Sequence, residues 1–365
     1  MIWKIRSART WLAIVGTMGV VCADALAKPD VAPISDGEFS QQLNAPSVTV
    51  QSQATTLQNT EQKPGGEGDQ PEVAVAPKAD GHIQITFNKI PLFIENSDIP
   101  AGLQNDDVLR RVVAGGIRFR DPYPQGSWKS VINRDWPPDM ASTLRPMSLR
   151  ETSAGTVLAD PEGPNLYQTD PQALVSKRDS FVSLDLRLKN FSPKIAWSLW
   201  AVAPFRVMPG SAANPGTLMV FPVRDDERSA VAGRENAEWS GRWNYDAASG
   251  LMIVNPNAPA SSPDKMMFSS TDWVLVAHKG WSSAVLMRLH DSSRHDGQFQ
   301  IYAGLSDHYL EAEFTGPLVP MGRESRASVS LEFVPVAGLS GDKISRFGAG
   351  TDFARSVRVI LPNLK

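Results

Sequence analysis

The sequence is poor in cysteine and histidine, and this scarcity limits the chemistry available to it. Cys22 is the only cysteine among 365 residues, and there are five histidines. If Cys22 is removed with an N-terminal export signal, the remaining chain has no thiol. Disulfides, cysteine metal sites and a cysteine nucleophile are then excluded. A chain of this length without disulfides must draw its stability from a large core.

Other absences exclude further classes of protein. The formal net charge is −3, so there is no basic surface for nucleic acid. No segment after the first 27 residues has the length and apolarity of a transmembrane helix. The nucleophile elbow Gly-x-Ser-x-Gly and the zinc motif His-Glu-x-x-His do not occur, and Gly115-Gly116 lacks the spacing of a phosphate-binding loop. We therefore predict no cofactor.

One segment, His290–Asp296, carries two histidines and two aspartates and is a candidate metal site. Its ligand types suit a transition metal, but it lacks the i, i+4 spacing that would bring two ligands together on a helix. It also follows a strand-like run in a region rich in turn residues. A solvated turn is the favoured interpretation, and we predict no metal site.

The N-terminus has the layout of a cleaved secretory signal. The first nine residues include three basic side chains, Trp11–Val21 is apolar, and Ala25-Leu26-Ala27 offers small residues for cleavage. The apolar stretch is too short to span a bilayer, and the bulky pair Val20-Val21 disfavours lipid attachment at Cys22. We predict a signal over residues 1–27 and a periplasmic or secreted product.

Residues 28–79 differ in composition from the rest of the chain. Glutamine and proline are frequent in this segment, and Phe39 is its only aromatic residue. Such a segment cannot bury enough apolar surface to offset the entropy lost on ordering. We predict a disordered tether, followed by a single globular domain over residues 80–365.

The pattern of the globular part is mostly of period two. In Phe181–Lys189, leucines alternate with charged residues, as in a half-buried strand. Similar runs are Thr217–Val223, Leu251–Val254, Trp273–His278, Ala284–His290, Phe299–Ala303, Ala327–Phe333 and Ser356–Leu361. One short helix is predicted at Asp106–Val113. Many short strands between turn residues predict an all-β fold, a large antiparallel β-sandwich.

Tryptophan is the first indication of function. Flat indole rings pack well against the C–H faces of sugar rings, although tryptophans equally fill protein cores. Trp128 and Trp136 lie in a stretch rich in Pro, Gly and Asn, and binding residues concentrate on loops. These two residues are therefore the stronger candidates for contact with a sugar.

The segment Tyr309–Phe314 is the second indication. Alternation along a strand places Leu310, Ala312 and Phe314 on one side, and a phenol and two carboxylates, Tyr309, Glu311 and Glu313, on the other. The polar face is either solvent-exposed surface or the lining of a sugar-binding groove.

Several short motifs together resemble a known family. The run Ala114–Arg118, the loop Trp136-Pro137-Pro138, the strand pair Leu184–Asn190 and Ile195–Val202, and the segment Tyr309–Leu318 are similar to galactose-mutarotase-like (aldose 1-epimerase superfamily) domains of an uncharacterised bacterial branch. The resemblance covers roughly residues 80–337. It implies a supersandwich of antiparallel sheets with a sugar-sized groove on a concave face.

The resemblance also implies a chemistry. Active members of that superfamily use a histidine acid and a glutamate base to open and close an aldose ring at its anomeric carbon. Glu311 would be the base and His278 or His308 the acid, but the strand Trp197–Val202 has no histidine where the family's acid is expected. The candidate sugar-binding residues are Trp128, Trp136, Arg118, Trp200, Tyr309 and Glu313.

Three hypotheses about function follow. The first is an exported protein that binds or processes carbohydrate, and the second is an aldose 1-epimerase-type enzyme with a glutamate base. The third is a non-catalytic interaction module of the cell envelope. It predicts that Glu311, Glu313 and the loop tryptophans lie on flat surface rather than around a cavity. The oligomeric state does not follow from the sequence.

Overall fold

The structure is a computed structural model. It describes residues 72–124, 128–133, 140–178, 180–223, 242–259, 264–269, 272–290, 298–303, 309–321, 325–341, 344 and 350–362. The predicted signal, and the predicted tether up to residue 71, lie outside these ranges. The strands described below belong mostly to one compact unit, Pro71–Glu151 with Gly155–Lys365. Within the described ranges, no helix combines the length and apolarity needed to cross a membrane.

The described residues of this unit form three antiparallel sheets. The small sheet has the order β1 (Val73–Pro77), β2 (Ile83–Phe87), β3 (Ile90–Pro91). The five-stranded sheet has the order β13 (Asp264–Ser269), β16 (Gln298–Ala303), β17 (Tyr309–Val319), β9 (Trp197–Arg206), β4 (Tyr123–Pro124). The ten-stranded sheet has the order β11 (Trp243–Asp246), β12 (Leu251–Val254), β10 (Thr217–Pro222), β14 (Trp273–His278), β15 (Ala284–Leu289), β18 (Ser325–Val336), β8 (Val182–Asn190), β7 (Thr169–Lys177), β6 (Gly155–Ala159), β5 (Ser148–Thr152).

The main core lies between the two large sheets. Leu310 and Phe314 of β17 join Leu184 and Leu186 of β8 in one buried apolar cluster. Phe93 adds edge contacts within this cluster, with its ring centroid 5.8 Å from that of Phe333. Period-two alternation therefore directs one side of each strand inward, and the predicted all-β antiparallel sandwich is confirmed.

The helical segments in the first part of the domain are short. The helix predicted at Asp106–Val113 is present and contains a π-helical turn, Leu109–Val113. The others are 3-10 turns at Asn96–Asp98 and Ala101–Leu103, helix α1 (Trp128–Ile132) and helix α2 (Met140–Thr143). At the start of the domain, β1 begins at Val73, ahead of the predicted start at residue 80.

A longer helix, α3 (Thr351–Ile360), covers part of the other face of the ten-stranded sheet. It packs Phe353 and Val357 against Leu218 and Val220 of β10. Strand β10 is therefore buried on both faces, which explains why it is a continuous apolar run rather than an alternating one.

The strand predicted at Ser356–Leu361 is wrong, because this segment belongs to α3. Phe353, Ala354 and Val357 are buried at helical spacing, whereas Val359 is 79% exposed. The six residues Ser356–Leu361 are too few to distinguish a strand period of 2 from a helical period of 3.6. The buried residues that reveal the helix, Phe353 and Ala354, lie just before this segment.

Candidate functional site

The five-stranded sheet has an outer face, on the side away from the main core, and this face carries Glu311 and Glu313. In the register of β17 with β9, Glu311 lies opposite Pro204 and Glu313 opposite Val202. The face is not open surface, since Glu311 is only 8% exposed and Glu313 2%. Two carboxylates buried this far require specific partners.

Arg118 is the partner of Glu311. Its Nη2 donates to Oε1 of Glu311 at 3.3 Å, and the two side chains are equally shielded from solvent. The backbone of Arg118 exchanges two hydrogen bonds with that of Val202, which holds the residue alongside β9. Arg118 and Glu311 therefore form a buried ion pair between a loop segment and a central strand of the sheet.

Two glycines allow the chain to reach this position. Gly116 has φ +143°, and a Cβ atom there would meet the backbone of Ile83 at 2.5 Å. Ile117 then exchanges two backbone hydrogen bonds with Ile83. Because any side chain at residue 116 would push the two segments apart, the Gly115-Gly116 pair serves the close approach that delivers Arg118 to the sheet.

Trp200 links the ion pair to the second carboxylate. Its indole Nε1 donates to Oε2 of Glu313 at 3.0 Å, and the guanidinium carbon of Arg118 lies 5.7 Å from the centroid of its ring. A cation over an indole face is attracted by the ring quadrupole, and the attraction strengthens where water is excluded. Glu311, Arg118, Trp200 and Glu313 thus form one continuous array, which we call the outer-face array.

Aromatic rings support Trp200 from one side. Tyr123 lies edge-on to it at 5.6 Å, and Trp128 of α1 lies 6.4 Å away. Trp128 also contacts the rings of Trp197 and Tyr167 at 5.8 Å and 5.5 Å. Trp128, predicted as a loop residue, is therefore a buried member of this aromatic cluster.

The other predicted sugar-binding residues fall elsewhere. Tyr309 is buried in a small apolar cluster with Leu109 and Val113 of the π-helical turn. Trp136 and His308 lie outside the described residues. Of the predicted residues, the structure therefore brings together Arg118, Glu311, Trp200 and Glu313, with Trp128 behind them.

A second set of polar side chains lies next to the array, around a pocket, and was not predicted from the sequence. A small pocket is lined by Asp80, Gly81, His82, Val112, Arg118, Arg120, Asp121, Thr143 and Leu144. Arg120 binds Asp160 and the carbonyl oxygens of Thr143 and Arg145. Arg118 belongs both to the lining of this pocket and to the array. The sequence contains a pattern that indicates these polar side chains, since Arg118 and Arg120 alternate with the apolar residues Ile117 and Phe119.

Burial and charge act against each other in this pocket. Burial raises the pKa of the Asp121 carboxyl although Arg118 and Arg120 favour its ionised form and the Thr143 hydroxyl donates to it. Burial likewise lowers the pKa of Arg120 against the attraction of Asp160. The hydrogen bond from His82 lowers the pKa of Asp80 to about 2. Asp80 is therefore an anion throughout the neutral range, and Asp121 holds its proton to a higher pH than an ordinary aspartate.

His278, one of the two predicted acids, lies on the other sheet. It ends β14, is 2% exposed, and stacks on Trp281 with 4.5 Å between ring centroids. Burial, and secondarily the positive charge of Arg206, lower its pKa from 6.5 to about 4. At neutral pH this imidazole is uncharged.

The buried His278 should make stability depend on pH. Between pH 6.5 and 4 the unfolded chain binds a proton at this residue that the folded protein does not bind. Stability should therefore be complete above pH 6.5 and fall by roughly 3 kcal/mol as pH decreases to 4, with no further loss from this residue below that. Urea unfolding of wild type and His278→Gln across this range measures the difference between the two slopes.

The control is Val359→Ala, which changes a side chain that is 79% exposed and no titratable group. It should keep the pH dependence of stability of the wild type. Parallel losses of stability in His278→Gln and wild type between pH 6.5 and 4 would show that His278 does not cause the dependence.

The candidate metal segment is described only at His290, whose Nδ1 lies 2.6 Å from Glu332 Oε1. Residues 291–297 lie outside the described ranges. Within those ranges, no group of three or more His, Cys, Asp or Glu residues could hold a metal ion.

No protein-family model matches this chain, and no curated protein sequence does. Among solved structures it is similar to the Slr1438 protein of Synechocystis sp. PCC 6803, with TM-score 0.44 and 11% identity over 73% of this chain and 91% of that one. It is also similar to a galactose mutarotase-like protein from Lactobacillus casei, with TM-score 0.42 and 8% identity over 73% and 98%. A galactose mutarotase related enzyme from Lactobacillus acidophilus has TM-score 0.42 and 9% identity over 75% and 97%.

Proposed function

We propose that this protein is exported and binds or processes carbohydrate, with the outer-face array as the part of the domain that contacts the sugar. The observation that carries the proposal is the array itself. A carboxylate, a guanidinium and an indole are held in one buried row, Glu311, Arg118 and Trp200. Export is inferred from the N-terminal sequence.

These groups suit the surface of a sugar. Carboxylates accept hydrogen bonds from hydroxyl groups, guanidinium donates to ring and hydroxyl oxygens, and an indole offers a flat apolar face to C–H groups. Each group is already fixed by a neighbour, so little side-chain entropy remains to be lost when a ligand binds. Low exposure also strengthens each polar contact.

A catalytic version of this function is the second candidate. Asp121 lines the same pocket as Arg118, and burial raises its pKa. A carboxyl whose pKa is raised by burial is a recurrent candidate for the acid in acid–base chemistry. Glu311 would serve as base and Asp121 as acid in aldose ring opening. The interaction-module hypothesis is less well supported, because Glu311 and Glu313 are buried rather than on flat surface.

The Glu311→Gln substitution tests the role of the carboxylate. Glutamine keeps the shape and can still accept from Arg118, so the variant should keep its fold although it loses some stability with the charge. Loss of a charged hydrogen-bond acceptor should weaken sugar binding by roughly 10- to 100-fold. The measurement is ligand-observed NMR against a broad panel of monosaccharides and glycans, followed by titration calorimetry on any sugar that binds.

The control is Glu332→Gln, which alters a carboxylate that is equally buried, paired with Arg288, and on the other large sheet. It should leave sugar affinity unchanged. A wild type that binds nothing in the panel would overturn the proposal. Accelerated anomer exchange in wild type, followed by NMR and lost in Glu311→Gln, would select the catalytic version.

A further inference from the structure

One buried glutamine on the five-stranded sheet has only part of its amide paired. Gln300 of β16 is 1% exposed, and its Nε2 donates to Oγ1 of Thr315 at 3.1 Å. In the part of the chain that the structure describes, Oε1 of Gln300 is shielded from solvent and has no hydrogen-bond partner. Buried polar atoms without a partner are rare in folded proteins and cost stability. This oxygen is therefore a candidate for contact with a group from outside the chain.

The strand register places Gln300 beside the outer-face array. Gln300 lies directly opposite Glu313 in the pairing of β16 with β17, and opposite residues of neighbouring strands share a face of the sheet. Thr315, which accepts from Gln300, lies opposite Trp200 in the pairing of β17 with β9. Trp200 in turn donates to Glu313. The polar row of the array therefore continues from β9 across β17 to β16, where the unpaired amide oxygen lies.

The chemistry of the amide defines the group that would complete it. In the present orientation, Oε1 of Gln300 needs a donor. If the amide is turned by 180° about the Cγ–Cδ bond, the oxygen accepts from the Thr315 hydroxyl and Nε2 needs an acceptor. A hydroxyl group meets both needs, because it can donate one hydrogen bond and accept others. A carboxylate or a phosphate could only accept, and it would bring negative charge close to the Glu313 carboxyl group.

We propose that Gln300 is a further binding residue of the outer-face array, and that its unpaired amide atom bonds one hydroxyl group of a neutral sugar. This inference rests on the proposed function. A site built to bond a hydroxyl group rejects an analogue that lacks it, because the buried polar atom of the protein is then left unpaired. Gln300 therefore makes the site selective for sugars that carry a hydroxyl group at the position next to it.

A second buried glutamine provides the matched control. Gln84 of β2 is 4% exposed, and both polar atoms of its amide are paired with the backbone of Phe93. Oε1 accepts from the Phe93 N at 3.3 Å, and Nε2 donates to the Phe93 carbonyl oxygen at 3.4 Å. Gln84→Met leaves these two backbone groups without the amide, whereas Gln300→Met removes an oxygen that has no partner. The chemical change is the same, so a difference in stability reports on the pairing of the amide.

The test compares these two variants with the wild type in urea unfolding and in calorimetric titration with a sugar that binds the wild type. The urea midpoint of Gln300→Met should equal or exceed that of the wild type, and the midpoint of Gln84→Met should be lower. Sugar affinity should fall about tenfold in Gln300→Met, as expected for the loss of one buried hydrogen bond, and change less than about twofold in Gln84→Met.

Monodeoxy analogues of the same sugar identify the hydroxyl group. At one position, its removal should weaken binding to the wild type about tenfold but binding to Gln300→Met less than about twofold, because both changes remove the same bond. Equal losses in both proteins at every position would overturn the assignment.

Three other results separate the assignment from the proposed function. Unchanged sugar affinity in Gln300→Met would mean that only an ordered water meets the amide, and would overturn the assignment alone. A loss of stability as large as in Gln84→Met would also overturn it, since the amide would then have a structural partner. A wild type that binds no sugar would overturn the proposed function, and the assignment with it.

Discussion

A Glu311→Leu variant is expected to lose about 3–5 kcal/mol of its free energy of unfolding, because Arg118 keeps its charge in a site that is 10% exposed. The Val112 carbonyl still accepts from this guanidinium, but a carbonyl does not neutralise it. Urea unfolding at pH 7 measures the loss as a lower midpoint with an unchanged slope.

The double variant Arg118→Met with Glu311→Leu removes both charges of the ion pair but keeps side chains of similar volume. Replacing both charges by apolar side chains of similar volume should restore most of the stability, since the pair's attraction is largely offset by its desolvation.

Glu162→Leu is the matched control. The Glu162 carboxylate binds Arg145 but is 69% exposed, so removing it should cost less than about 1 kcal/mol. Equal small losses in Glu311→Leu and Glu162→Leu would mean that the pair is open to water.

The second large effect is expected from Trp197→Ala, which should cost about 3–5 kcal/mol. Trp197 is fully buried between the rings of Trp128 and Tyr167, and its Nε1 donates to the Tyr167 carbonyl at 3.2 Å. Because Trp128 also contacts Trp200, the cavity should loosen the array and weaken sugar binding as well. Thermal and urea unfolding measure the first effect, and calorimetric titration measures the second.

Trp197→Phe is the informative companion to this variant. It keeps an aromatic ring in the cluster and removes only the indole N–H and part of the volume. Stability should therefore fall by less than in Trp197→Ala, and the affinity for sugar should stay closer to that of wild type. A loss below about 1 kcal/mol in Trp197→Ala would contradict the tight packing of this cluster.

The sequence predicted strands far better than it predicted their surroundings. Alternation placed Glu311 and Glu313 on one face of β17, because the side-chain period of a strand is a local property. What covers that face is not local, since Arg118 reaches Glu311 from 193 positions earlier in the chain. Burial of the two carboxylates could therefore not be read from their own strand.

The same limit applies to His82 and to Trp128. His82 stands just before a short strand and belongs to no recognisable motif, yet its Nε2 lies 2.9 Å from the carbonyl oxygen of Val112 in the π-helical turn. Trp128 was singled out by its neighbours in a loop-like composition, yet the rings that enclose it come from β9 and from Tyr167. Composition identifies residue types, and only tertiary contacts decide between core and surface.

The position of β18 has a consequence for the order of folding. It is the last strand of the described residues, and it lies between β15 and β8, with Ser325 opposite Asn190. Within the described sheet, the half that contains β7 and β8 is joined to the half that contains β14 and β15 through this strand. Pairings this distant require closure of a long loop and form slowly. During synthesis, the ten-stranded sheet therefore cannot be completed until β18 has left the ribosome, and until then its two halves lack the strand that they share in the finished fold.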